Sequence, residues 1–158
     1  MQPLQITTTT HAMTIASYVM CAVLAGLHAM GAASHTAVTE AVGEAGVGVW
    51  VLLMLVGAVA ALGGALTAPH HAVPTAALVV EAVGALLLAL TLTGYAVSLT
   101  MSFGWSGGPT TQTLAYGLGL GAAGRAAQIV LELRRLCAAR ASATVADPVL
   151  GDPTHADD

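Results

Sequence analysis

No lysine or arginine occurs between Met1 and Gly124; the basic side chains are Arg125, Arg134, Arg135 and Arg140. A water-facing shell needs charge spread over its surface, and soluble domains carry roughly 25% charged residues. This chain of 158 residues is 8% charged and 56% hydrophobic, so most of it lacks the material for such a shell. The same apolar content excludes an intrinsically disordered chain. Its length suits one small helical bundle with no separate soluble domain. The expected fold class is therefore all-α, an integral membrane helical bundle.

The formal charge of −4 comes largely from the C-terminal tail, where Asp147, Asp152, Asp157 and Asp158 lie. No basic patch offers phosphates an electrostatic footprint, which argues against a nucleic-acid partner. The two cysteines, Cys21 in an apolar stretch and Cys137 after the arginine cluster, do not read as a disulfide framework.

A spanning helix needs about 20 mostly apolar residues. Four stretches meet that description: 14–33, 46–68, 75–100 and 111–133. The first is rich in alanine and carries His28, and three spans remain the alternative to four. A cleaved signal peptide opens with a positively charged region, which is missing here, so the first stretch is read as a retained helix. Short connections join adjacent antiparallel helices. Pro74 is well placed to begin the third span. The Gly107-Gly108-Pro109 run marks the next turn, and Phe103 and Trp105 suit a headgroup-level aromatic belt. Residues 1–13 form a polar N-terminal segment, 14–135 the bundle, and 136–158 a cytoplasmic, largely disordered acidic tail.

Arg134, Arg135 and Arg140 follow the last span and act as topology anchors, which places the C-terminus in the cytoplasm. Four spans then return the N-terminus to the cytoplasm and leave the acidic first connection, with Glu40 and Glu44, outside.

Glu81 and Arg125 are the formal charges set deep in the predicted spans. An ionisable side chain in hydrocarbon costs about 2.5–3.5 kcal/mol on insertion scales, so each needs a partner, water or a route to the interface. Glu81 lies seven residues past Pro74, roughly 10 Å along a helix, and Arg125 lies nine before Arg134, roughly 13 Å. On antiparallel neighbours these depths match, so the two are expected to form an intramembrane ion pair, structural or functional.

Small residues recur at the spacing that lets helix backbones approach. Gly57, Ala61 and Ala65 do so on the second span, beside Ala60, Gly64 and Ala68. On the fourth, Gly117 and Gly121 form a GxxxG row continued by Arg125, next to Ala115, Gly119, Ala123 and Ala127. These are candidate packing faces, within the chain or between copies. His28 and His35 approach one side of the membrane and His70 and His71 the other, so no metal cluster is expected. No nucleophile elbow, P-loop, zincin motif or dinucleotide fingerprint is present, and neither catalysis nor a cofactor is implied.

A Trp-led apolar span, a short link, a span with an early Glu (VVEAVGALLLAL), an aromatic-glycine loop and a last span ending GRAAQIVLELRRL follow one another. Over about residues 46–136 this order resembles small multi-span membrane proteins of actinobacterial phages and prophages, some of them holins or holin-like. The resemblance implies a protein that accumulates in the cytoplasmic membrane, self-associates and permeabilises it. Holin tails are commonly basic, whereas this one is basic only to Arg140 and then acidic. The residues alone leave two further readings open: a non-catalytic membrane subunit or anchor for another protein, and a small transporter or ion-conducting protein using Glu81. Reporter fusions at the two termini are expected to place both in the cytoplasm; termini on opposite sides would mean three spans.

Overall fold

The computed structural model describes residues 8–31, 36–67, 74–104 and 109–146. These form four α-helices: α1 Thr8–Ala29, α2 Thr36–Thr67, α3 Pro74–Phe103 and α4 Pro109–Ala146. No strand occurs among the described residues. All four are long and apolar enough to cross a membrane, over Ala12–Ala29, Gly43–Thr67, Thr75–Phe103 and Thr110–Ala139. The chain is a small all-α bundle with the helices of a multi-pass membrane protein.

Local chemistry sets the helix limits. Prolines stand at the first position of α3 and α4, where their missing N–H costs nothing and their fixed φ suits the helix. The first connection holds more helix than expected. Residues from Thr36 are already helical, and the chain then bends at Gly43, with φ 73° and ψ 172°, before the apolar part of α2. That backbone region strongly favours glycine, so the bend is written into the sequence. Glu40 and Glu44 flank it and therefore do not share one straight helical face.

Two limits differ from the sequence-based expectation. The first helix starts earlier than residue 14 and ends at Ala29 rather than 33, followed by Gly31 with φ 69°. More markedly, α4 runs to Ala146 and so takes up the first part of the segment expected to be a disordered tail, 136–158. Its LELRRLCAARASA stretch consists largely of strong helix formers. The rest of the tail, like His35, His70, His71 and Trp105, lies outside the described residues.

Packing follows a heptad-like spacing of three and four, the pattern that keeps one seam facing a neighbouring helix. It appears as Tyr18, Cys21, Ala25 and His28 on α1, and as Val47, Val51, Met54, Ala58, Ala61 and Ala65 on α2. The α4 seam is Gln112, Ala115, Gly119, Ala122, Ala126 and Ile129. The central helix, α3, carries two seams. One (Ala77, Glu81, Gly84, Leu88) meets α2 and the other (Ala85, Ala89, Leu92, Ala96) meets α4. α1 packs against α2 and reaches α3 through Tyr18.

The tightest crossing is between α2 and α3. A Cβ on Gly64 would come within 2.5 Å of the Glu81 backbone nitrogen, and one on Gly84 would collide with the Ala61 backbone. Gly57 meets Leu87, Gly84 and Leu88 at 3.1–3.3 Å from the same construction. Backbone therefore lies on backbone through the middle of the bundle, as small residues permit in membranes. Toward the other end, Trp50 donates its indole N–H to the Thr91 carbonyl at 3.1 Å. Its ring lies 5.2 Å from His28 and 5.2 Å from Tyr95, which ties α1, α2 and α3 together. Trp50 is thus a packing residue between helices.

Gly84→Ala is expected to destabilise the bundle by about 1–3 kcal/mol or more, because the new methyl meets an immobile backbone. Gly94→Ala, in open space, should be tolerated. Unfolding in mixed micelles, followed by circular dichroism, measures both.

Candidate functional site

The charged centre of the molecule draws on three helices. Glu81 on α3 is 1% exposed. Its Oε1 accepts a hydrogen bond from Arg125 Nε on α4 at 2.9 Å, forming an interhelical ion pair. The Tyr18 hydroxyl on α1 donates to the same oxygen at a longer 3.5 Å. Glu81 Oε2 has no hydrogen-bond partner among the described residues.

The fold brings these groups together in steps. Pro74 starts α3, and Glu81 falls two turns in, on the seam against α2. There Gly64 lets the α2 backbone lie directly over it, which removes the carboxylate from lipid on that side. On the adjoining seam Ala122 and Ala126, short residues flanking Arg125 on α4, let the guanidinium cross to α3. A carboxylate so buried is tolerable only when paired, since the Coulomb attraction in a low-dielectric interior must offset its lost hydration.

Chemically the arrangement binds helices together. The contact is a single Nε–H to Oε1 bond, not a two-pronged clamp. Among the described residues the next carboxylate of the spans, Glu132, lies two turns along α4 from Arg125, and no group of three or more His, Cys, Asp or Glu is placed to hold a metal. Cys21 is buried and Cys137 exposed, and both are free thiols.

The structure distributes the other candidate residues unevenly. Gly57, Ala61 and Gly64 lie in the α2–α3 crossing described above. Gly117 and Gly121 do not pack within the chain: no heavy atom lies within 4 Å of a Cβ built on either. Gly119 takes the packing position on α4 instead, with its built Cβ 2.7 Å from the Thr93 hydroxyl oxygen. Successive residues at i+4 drift about 40° around a helix, so a straight GxxxG row leaves a seam that alternates three and four. Arg134 and Arg135 are exposed on α4 beyond the bundle core, and Arg140 lies further along the same helix.

Sequence reasoning did not single out Tyr18 or Gln112. The latter is 1% exposed and donates from Nε2 to the Gly104 carbonyl at 2.8 Å, which closes the turn between α3 and α4. A glutamine one turn into an apolar helix, just past a Gly-Gly-Pro turn, was the available signal. No signal marked Tyr18.

Beside this cluster a groove of about 390 Å³ separates α1 from α4, floored by Leu88 and Leu92 of α3. Tyr18 and Arg125 line it together with Gly117 and Gly121.

Comparison with protein-family models, with curated proteins and with solved structures finds no match to this chain.

Removing one member of the pair strands the other. Arg125→Met is expected to cost about 3–5 kcal/mol of bundle stability, the scale for breaking a buried pair. The double substitution Glu81→Met with Arg125→Met should recover most of that loss, as seen in a double-mutant cycle of unfolding free energies. Additive single and double losses would mean that the contact carries no coupling.

Proposed function

We propose that this protein is a holin-like component of the cytoplasmic membrane, which assembles with copies of itself through the outer face of α4 and permeabilises the membrane when it accumulates. One observation carries this reading. One exposed row of α4 bears Thr110, Thr113, Gly117, Gly121, Gly124 and Gln128, of which Gly117 and Gly121 border the groove toward α1. Outward positions of α2 and α3 include large aliphatic side chains, Val49, Leu52 and Val56 on α2 and Val83, Leu86 and Leu90 on α3, and α4 exposes Leu114, Leu120 and Leu131 beside this row. Lipid tails accept such side chains without cost, whereas glycine leaves backbone exposed and glutamine brings an unpaired amide into hydrocarbon. Small residues with interspersed hydrogen-bonding groups are what helix–helix interfaces in membranes use.

A bundle of this kind needs assembly in order to conduct. Its centre is occupied by the Glu81–Arg125 pair and by backbone-to-backbone crossings. An activity of the single chain through Glu81 is therefore disfavoured, since the carboxylate is 1% exposed and its Oε1 is engaged by Arg125 and Tyr18. Copies meeting on their α4 faces would place threonine, glycine and glutamine at the junction or along a lumen.

Inducible expression in bacteria is expected to collapse the membrane potential after a delay, as read by a potential-sensitive dye. Gln128→Leu combined with Gly124→Leu should lengthen that delay severalfold or abolish the collapse at equal protein level. Cells that keep growing at full potential would overturn the reading. Recovery from mild detergent as a monomer bound to a different membrane protein would support a membrane anchor instead.

A further inference from the structure

The exposed row of α4 does not stop where the bundle does. Ile129 is the last buried residue described on this helix, yet the helix runs on to Ala146. That leaves about 25 Å of helix, at 1.5 Å per residue, beyond the last contact that buries a side chain. Helices in proteins owe most of their stability to a packed face, and this stretch packs none within the chain.

The row itself has a regular step. Gly117, Gly121, Gly124, Gln128, Leu131 and Arg135 follow one another at alternating intervals of four and three. Ala138 and Ser142 carry the alternation into the extension, and all of these residues are exposed in the single chain. The Ser142 hydroxyl donates to the Ala138 carbonyl at 3.1 Å, so it is satisfied within the helix and leaves the surface smooth. A mean step of 3.5 residues keeps one line facing a partner helix over its whole length, with a left-handed crossing. The straight row Gly117, Gly121, Arg125 leads to a different geometry. Such GxxxG contacts cross right-handed at about −40°, so the helices meet at one point and splay apart beyond it.

Gln128 indicates what covers the line. Its amide is exposed and has no hydrogen-bond partner among the described residues. An amide offers donors and an acceptor together, so a second amide at the same depth satisfies both. Another copy inserted the same way supplies one by symmetry, whereas lipid tails supply none. Close by, Glu132 stands three residues before Arg135, so each copy brings both signs of charge to the contact.

We infer that α4 pairs in parallel with α4 of a second copy as a left-handed coil along this line, with Gln128 amides bonded across the axis, and that the contact continues past the bundle to Ser142. Resting on assembly through α4, this geometry makes the extension part of the interface rather than a free end.

The full chain carrying Cys21→Ser and Cys137→Ser receives one cysteine at a time, and disulfide-linked dimer is measured in native membranes after mild oxidation. Gly124→Cys, Leu131→Cys, Ala138→Cys and Ser142→Cys, on the line, are expected to cross-link severalfold better than Ala127→Cys, Val130→Cys and Ala141→Cys, which lie off it. Adding Gln128→Leu to Ala138→Cys should lower the dimer about fivefold, the scale of one interhelical hydrogen bond. Cross-linking at Gly124→Cys that falls to background at Ala138→Cys and Ser142→Cys would overturn the coil and leave assembly through α4 standing. Equal cross-linking on and off the line, or undiminished dimer with Gln128→Leu, would also overturn it. No cross-link at any position would overturn the coil and the assembly reading together.

Discussion

A carboxylate buried in the middle of a membrane bundle needs a partner, and the arrangement of this protein follows from meeting that need. Glu81 is covered by the α2 backbone on one side and paired with Arg125 on the other. The pairing requires α4 to lie antiparallel beside α3 with matched depths, and the covering requires glycine at position 64 and a close crossing at Gly84. Tyr18 adds α1 to the same oxygen through a longer and weaker bond. The cluster thus fixes register among the helices more than it adds net stability, since apolar packing of similar volume often does as well as a buried pair.

From that fixed register follows the two-sidedness of α4. One seam, from Gln112 to Ile129, is committed to α3. The opposite face carries a row of small and hydrogen-bonding residues, flanked by the exposed Leu114, Leu120 and Leu131. Arg125 lies between the two faces, reaching inward to Glu81 and bordering the groove toward α1. A single helix therefore carries both the contact that holds the chain together and the surface proposed for self-association.

Much of this was legible in the residues. Absence of lysine and arginine before Arg125 implied a membrane protein, and four apolar runs separated by proline and glycine turns correspond to the four helices. The matching depths of Glu81 and Arg125 could be calculated because the rise of a helix is constant and short connections make neighbours antiparallel. The choice of face was harder to read. Alanine and glycine are so frequent on α4 that several rows qualify as packing surfaces, and the actual seam through Ala115, Gly119, Ala122 and Ala126 follows none of the straight i+4 rows. Gly84 and Tyr18 owe their roles to a helix distant in sequence, which local pattern does not encode. The extension of α4 to Ala146 was obscured by reading polar composition as disorder, although arginine and alanine are good helix formers.

The most direct test of the account is cross-linking in native membranes of a chain with Cys21 and Cys137 replaced by serine and one new cysteine introduced. Gly124→Cys, on the outer face of α4, is predicted to form disulfide-linked dimers on mild oxidation, while Val83→Cys, on the lipid-facing side of α3, stays monomeric under the same conditions. Efficient cross-linking at Val83→Cys with none at Gly124→Cys would contradict assembly through α4.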